Sequence, residues 1–340
     1  MSNKTIDFRS DTVTKPTPAM LHAMFSAEVG DDVFGTDPSV NALEEKAAHL
    51  FGMESALFCP SGTQTNQIAL QLHCGRLDEV VCDFTAHIYQ YETGGYAHNG
   101  GIAIKPIHTS LGKLEAKNLA QYINPDFDWL PRTALICIEN TCNRAGGLIY
   151  TLEEMTSLSH TCRQLGVKFH LDGARIFNAL VELNIQPNEI GHLFDSISIC
   201  MSKGLGAPVG SLLLGKRKDI KMARRLRKVM GGGMRQSGYL AAACIYALDN
   251  HVDRLKEDHQ KARMLEATLR ELSYVKEIKQ VQSNMVIFSV DGLSAAEFSA
   301  KMNQQNILCT GMSDTWVRFV THLDVSEGDV ADSCNRLRAI

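Results

Sequence analysis

The stretch "SISICMSKGLGAPVGSLLLG" (residues 196–215) contains one charged side chain, Lys203, and the flanking charges Asp195 and Lys216 stand just outside it. Desolvating a lysine in such company is costly unless something compensates it. On either side of Lys203 lie short apolar runs, "SISIC" and "GSLLLG". Runs of that length bounded by glycine and proline predict buried strands, which places Lys203 in a loop just past a strand end. The stretch is long enough to raise the question of a membrane span, which needs about 20 mostly apolar residues. A central lysine costs about 2.5–3.5 kcal/mol on insertion scales. With Lys203, Pro208 and four glycines inside it, no span is expected. "GLGAPVG" has GxGxxxG spacing, and the apolar strand after it leaves no room for the helix of a dinucleotide site.

The same texture continues in both directions. "ALFCP" (56–60) predicts a strand, followed by Ser61-Gly62-Thr63 and a helix through "QTNQIALQLHC". "EVVCD" (79–83), "ALICIEN" (134–140) and "KFHLD" (168–172) predict further strands. Thr151 and Glu154 form a T-x-x-E capping box opening a helix that closes near Gly166. Strands alternating with helices predict an α/β domain with a mostly parallel sheet. After about residue 245 the pattern changes to a charged amphipathic helix through 250–272. The strand-like runs "NMVIFSV" and "WVRFVTHL" follow, with a helical segment between them. The expectation is a large domain over 1–245, with an N-terminal arm over 1–15, and a small α+β domain over 246–340.

Composition narrows the function. The 340 residues are 44% hydrophobic and 21% charged, with net charge −4. That argues against nucleic acid as a partner. The ten cysteines form no C-x-x-C pair and sit mostly in apolar runs, which predicts reduced thiols in a cytoplasmic protein. "MSNKTIDFRSDTVT" has no apolar core, so no secretory leader is expected. No H-E-x-x-H and no Cys/His zinc spacing appears, so no metal is expected.

In open α/β sheets ligands bind beyond the strands' carboxyl ends. Lys203, Asp172, Thr63 and His87 each follow such an end and are expected to converge. A lysine with few charged neighbours is a good amine nucleophile and forms Schiff bases with aldehydes, pyridoxal 5′-phosphate among them. That chemistry needs a carboxylate at the pyridine nitrogen, for which Asp172 in "HLDGAR" is the candidate. It needs a phosphate cup, which Gly62 and Thr63 at a helix start can supply. It needs a flat group on the ring face, a role for His87, and a cation for a substrate carboxylate, a role for Arg318 or Arg175. Each has a plainer reading: a turn at Asp172-Gly173, an N-cap at Ser61, a structural histidine at 87, a strand's polar face at Arg318. The basic run "KRKDIKMARRLRK" before Gly231–Gly233 is either a solvated helix face or a source of Lys228 and Arg235 for an anion, in this subunit or a neighbour. The glycines after Lys203 are expected to allow close approach of backbone to cofactor.

Taken together the motifs resemble the L-threonine aldolases of low specificity, among the pyridoxal-phosphate enzymes of fold type I. The resemblance rests on "DFRSDTVTKPTPAM", "EVGDDVFGTDPSVNALEEKAAHLFG", "CPSGTQTNQ", "HLDGARIFNA", "ICMSKGLGAPVGS", "KVMGGGMRQSG", "RLKEDH" and "VRFVTHLD", in order along nearly the whole chain. It implies a transferase-like α/β fold with a seven-stranded large-domain sheet and a small C-terminal domain. It implies Lys203 as the covalent anchor, Asp172 at the pyridine nitrogen, His87 on the ring, and Gly62 and Thr63 at the phosphate. Ser10, Arg175 and Arg318 would position cofactor or substrate carboxylate. Lys228 and Arg235 would complete the site across a dimer, usually within a homotetramer. The implied reaction is cleavage of L-threonine or L-allo-threonine to glycine and an aldehyde, in threonine catabolism and glycine supply. One motif departs: where the family often has "ENTHN", this chain has "ENTCN". Cys142 therefore stands where a histidine associated with the substrate hydroxyl is common, and His87 becomes the candidate base. The competing expectations are another fold-type I enzyme (a β-eliminating lyase, racemase or aminotransferase) and a non-catalytic binding protein that kept the fold.

Overall fold

The computed structural model describes residues 4–339. Its main feature is a seven-stranded sheet made of β1 (Ser55–Cys59), β2 (Asp78–Asp83), β3 (Ala103–Ile107), β4 (Arg132–Glu139), β5 (Lys168–Gly173), β6 (Ser196–Cys200) and β7 (Ser211–Gly215). The spatial order is β1-β7-β6-β5-β4-β2-β3. All neighbours are parallel except β7, which runs antiparallel to both β1 and β6. Because β7 is reversed, β1 and β6 end on the same side of the sheet. The carboxyl ends of β1, β6, β5 and β4 thus lie on one side of the sheet, as the loop position of Lys203 suggested.

The strands read as continuous apolar runs because helices cover both faces of a parallel sheet. Every residue of β6 and β7 is buried. The helix Leu152–Leu165 carries the expected capping box, and Gly166 closes it in the left-handed region with φ 69°. "GSLLLG" is a strand directly after the Lys203 loop, so the loop has no helix of a dinucleotide site.

A second, four-stranded antiparallel sheet contains β8 (Val275–Ile278), β9 (Met285–Val290), β10 (Thr310–Gly311) and β11 (Trp316–Val320) in the order β10-β11-β9-β8. Its core takes Ala262, Leu265 and Leu269 from the helix Leu255–Glu271, together with Phe288, Phe298 and Phe319. The N-terminal arm belongs to this core as well. Ile6–Asp7 pairs parallel with Ile307–Leu308, and Phe8 stacks on Phe319 with centroids 5.1 Å apart. Residues 1–3 of the expected arm lie outside the described residues. The boundary expected at 245/246 falls inside the helix Gly238–Asn250, whose Ala241, Ala243, Cys244 and Ala247 pack in the large core. The charged helix likewise starts at Leu255, later than the pattern predicted. All ten cysteines are free, and Cys309 alone is not fully buried. Among the described residues no helix is long and apolar enough to cross a membrane.

The glycines after Lys203 correct an expectation. A Cβ on Gly210, where φ is +132°, would sit 2.6 Å from the Phe58 ring and 3.0 Å from Cys244 Sγ. A Cβ on Gly204 would meet Leu255 at 3.1 Å, and on Gly206, with φ +78°, Leu323 at 3.1 Å. These glycines serve a tight turn packed against protein, and the crowding they relieve is the protein's own.

Candidate active site

Lys203 is half-buried three residues past the end of β6. Among the described residues its ammonium has no hydrogen bond or ion pair. Its backbone carbonyl accepts from Thr14 Oγ1 at 3.0 Å, which ties the N-terminal arm to the loop. The charge its own stretch lacks comes from that arm, because Asp11 interacts electrostatically with Lys203. Asp172 ends the neighbouring strand and is buried. Its Oδ1 accepts from the Ala174 N–H at 3.1 Å and its Oδ2 from Asn66 Nδ2 at 2.8 Å. No cation pairs with it among the described residues.

The β1 strand leads into Ser61, whose hydroxyl caps the helix Gly62–His73 by accepting from the Gln64 N–H at 3.2 Å. Among the described residues the N–H groups of Gly62 and Thr63 have no partner, as expected in the first turn of a helix. Ser211 Oγ lies 3.6 Å from where a Gly62 Cβ would be, and it is buried without a hydrogen-bond partner. Two open N–H groups at a positive helix end beside an orphaned hydroxyl are a donor set that could hold a phosphate. With an unpaired amine and a carboxylate lacking a cation, the donor set fits pyridoxal phosphate.

His87 opens a short helix after β2. Its N–H donates to Glu139 Oε2 at 2.9 Å, and its Nδ1 lies 3.0 Å from Glu92 Oε1. Burial pushes the imidazole's pKa down. The Glu92 hydrogen bond and the Asp172, Glu92 and Glu139 carboxylates outweigh it, so the net shift is upward. Glu139, at the end of β4, also accepts from the Asn143 N–H at 2.7 Å. Burial and the nearby Asp172 raise its pKa against these two N–H bonds. Ligand atoms of His87, Glu92 and Asp172 lie within 4.8 Å of one another. Asn66 and Gln67 already donate to Glu92, at 2.9 and 2.6 Å, so the trio is held by protein hydrogens.

Arg318 lies on β11 of the small sheet. Its Nη1 donates to Asn143 Oδ1 at 2.9 Å and its Nη2 to the Arg9 carbonyl at 3.0 Å, while Nε is buried with no acceptor. Burial and the nearby Arg175 push its pKa down to about 10. A guanidinium without a carboxylate and with an orphaned donor is a ready anion site. Arg175 differs. It is buried and gives both Nε and Nη2 to Asp11, at 2.8 and 2.6 Å. Ser10 caps the turn Asp11–Val13 by accepting from the Thr12 N–H at 3.2 Å.

Cys142 is buried, and its thiol donates to the Glu139 carbonyl at 3.1 Å. Burial pushes that thiol's pKa far up. Among the described residues, no hydrogen bond or ion pair joins Lys228 or Arg235 to Lys203, Asp172 or His87. Lys228 is exposed, and Arg235 Nη1 donates to Asp31 Oδ2 at 2.7 Å on the surface. Asn66, Glu92, Glu139, Asn143 and Asp11 were not singled out from the sequence, yet they connect the residues that were.

The Beta-eliminating lyase profile matches residues 7–291. The low specificity L-threonine aldolase of Escherichia coli K12 is 46% identical over 335 residues, covering 98% of this chain and 98% of its own. Low-specificity L-threonine aldolase 1 of Arabidopsis thaliana is 38% identical, covering 97% and 94%. Among solved structures, a Leishmania major threonine aldolase is similar in fold with TM-score 0.85. It is 22% identical and covers 98% of this chain and 99% of that one.

Proposed function

This chain belongs to the Beta-eliminating lyase family, and we propose that it cleaves L-threonine, L-allo-threonine and other L-3-hydroxy amino acids to glycine and an aldehyde. The observation that carries this reading is one continuous set of contacts. It runs from Arg318 through Asn143, Glu139, His87, Glu92 and Asn66 to Asp172. A cation suited to an amino-acid carboxylate is thereby fixed relative to a carboxylate suited to a pyridine nitrogen.

Pyridoxal phosphate, when bound, supplies the electron sink for the pair left at Cα when the Cα–Cβ bond breaks. Lys203 would hold it covalently, Asp172 at the ring nitrogen, and Gly62, Thr63 and Ser211 at the phosphate. Arg318 binds the substrate carboxylate, so the Cα–Cβ bond is presented in one orientation, a positioning effect. Glu92 occupies His87 Nδ1 and leaves Nε2 to take the β-hydroxyl proton. The O–H pair becomes the aldehyde's second C–O bond, and a proton returned to Cα gives glycine. Cys142 fills space, its hydrogen already given to a carbonyl.

Lys228 and Arg235 act in this reading across a dimer, within a homotetramer. Around them Phe34 and Val229 are 78% and 87% exposed, an apolar surface suited to a second copy of the chain. A reducing cytoplasm suits ten free cysteines. The test is product analysis with L-threonine and added pyridoxal phosphate. Acetaldehyde plus glycine, abolished in Lys203→Ala, is expected. Ammonia plus 2-oxobutanoate would assign β-elimination instead.

A further inference from the structure

Behind Asp172 a buried polar chain crosses the face of the sheet beneath the helix Gly62–His73. Asn66 Nδ2 lies 2.8 Å from Asp172 Oδ2 and 2.9 Å from Glu92 Oε1, so its two hydrogens go to two carboxylates. That fixes the amide's orientation, since turning it would set its oxygen against both. Asn66 Oδ1 then faces His170 Nε2 at 3.2 Å. His170 is fully buried. Its Nδ1 lies 2.8 Å from Ser196 Oγ, and His73 Nε2 lies 2.8 Å from the same oxygen.

An amide oxygen only accepts, so His170 Nε2 must carry a hydrogen for this contact to be favourable. Burial pushes the His170 pKa down to about 4, so the ring carries one hydrogen at neutral pH. Nδ1 is then a lone pair that accepts from the Ser196 hydroxyl, and Ser196 Oγ accepts from His73 Nε2–H. The other tautomer would donate Nδ1–H to the Ser196 carbonyl, 3.1 Å away, and would set two lone pairs against each other at Asn66.

We propose that His170 and Asn66 are positioning residues for Asp172: the His170 Nε2–H holds the Asn66 amide, whose two N–H groups hold Asp172 and Glu92. Asp172 is thereby held in one orientation in which it would face the ring nitrogen, and Glu92 keeps His87 turned so that Nε2 is free. One residue thus sets both the electron-sink side and the proton-transfer side of the site. This rests on the cofactor reading above, but its first measurement does not.

That measurement is a long-range proton–nitrogen NMR spectrum of 15N-histidine protein without cofactor. His170, assigned by its loss in His170→Gln, is expected as the Nε2–H tautomer from pH 8 to pH 5. The Nδ1–H form, or an imidazolium at pH 6, would overturn the proposal. The second measurement is pyridoxal-phosphate Kd and the visible absorbance of the bound cofactor. His170→Phe removes the donor and is expected to weaken Kd about 10- to 100-fold, the scale of orienting residues one layer out, and to move the absorbance maximum. His170→Gln, which keeps an N–H toward Asn66, restores both. Should the Phe variant not fold, Ser196→Ala removes the donor to Nδ1 and is expected to lower affinity in the same direction. Wild-type affinity and spectrum in a folded Phe variant, or equal losses in the Phe and Gln variants, refute the positioning role. A wild-type protein that binds no pyridoxal phosphate refutes the cofactor reading and leaves the tautomer result standing.

Discussion

Replacing Asp11 by Asn should cost about 3–5 kcal/mol, the usual penalty for leaving one member of a buried ion pair alone. Asp11 is wholly buried and Arg175 nearly so, with side-chain exposures of 0% and 7%. Two hydrogen bonds at 2.8 and 2.6 Å join them, and Asn284 adds a third at 3.3 Å. Unit charges about 4 Å apart attract by about 4 kcal/mol at an effective dielectric of 20, which agrees with the penalty. The Asn side chain keeps the shape but removes the charge, so Arg175 is left buried without its ion-pair partner, with only the more distant Glu139 carboxylate acting on it. Urea unfolding at pH 7, with the protein at fixed concentration, reads the loss directly. The double variant Asp11→Asn/Arg175→Met should recover much of it, because the pair as a whole need not be stabilising.

The pH dependence gives a second check. Burial raises the Asp11 pKa, but Arg175 more than reverses this and holds the carboxyl well below the usual range. A depressed carboxyl contributes stability that is full above its unfolded value, about 3.9, and is lost as pH falls toward the folded value. The gap between wild type and Asp11→Asn should therefore stay constant from pH 5 to 8 and narrow below pH 4. A loss under about 1 kcal/mol, or a double variant no more stable than Asp11→Asn, refutes the assignment of Arg175 to Asp11.

Arg318→Met should raise KM for L-threonine by about 10- to 100-fold, the worth of a charged hydrogen bond, with cofactor affinity unchanged; equal losses of cofactor and substrate binding would disprove the carboxylate role. Glu92→Gln removes the charge that helps hold the His87 pKa up, so the rising limb of kcat/KM should move to lower pH; an unmoved limb rules out His87 as base. The same raised pKa contributes stability that is full below about pH 6.5 and lost as pH rises through the folded value, so Glu92→Gln should be most destabilising in acid. Native protein at pH 8 should react with at most one equivalent of an aromatic disulfide reagent, at Cys309; fast loss of the Cys142 thiol would show that the site is open there.

What the sequence reveals here is what a strand end can carry. "KFHLD", "SISIC" and "ALFCP" are apolar and short, so they read as buried strands, and the polar residues that interrupt them, Asp172, Lys203 and Ser61-Gly62-Thr63, stand out by contrast. The partners of those residues do not stand out. Glu92 and Glu139 are ordinary acids in ordinary contexts, and Asn66 is one polar residue in a helix that has several. Their roles exist only after β5, β4 and the helix Gly62–His73 are laid side by side, as when Asn66 reaches Asp172 across 106 positions of chain. The Lys203 loop shows why contrast can mislead. Its glycines looked like room left for a ligand, but that room is filled by Phe58, Cys244, Leu255 and Leu323. Nor is its lysine the isolated charge its neighbours suggest. Asp11, though bonded to Arg175, acts on that lysine electrostatically from an arm whose strand is paired to the small domain and whose Thr14 is bonded to the loop itself. A charge isolated in its local stretch is thus met from elsewhere in the chain, and the Thr14 bond ties the arm beside Lys203. Deleting residues up to Thr14 should accordingly weaken the cofactor site as well as the small domain.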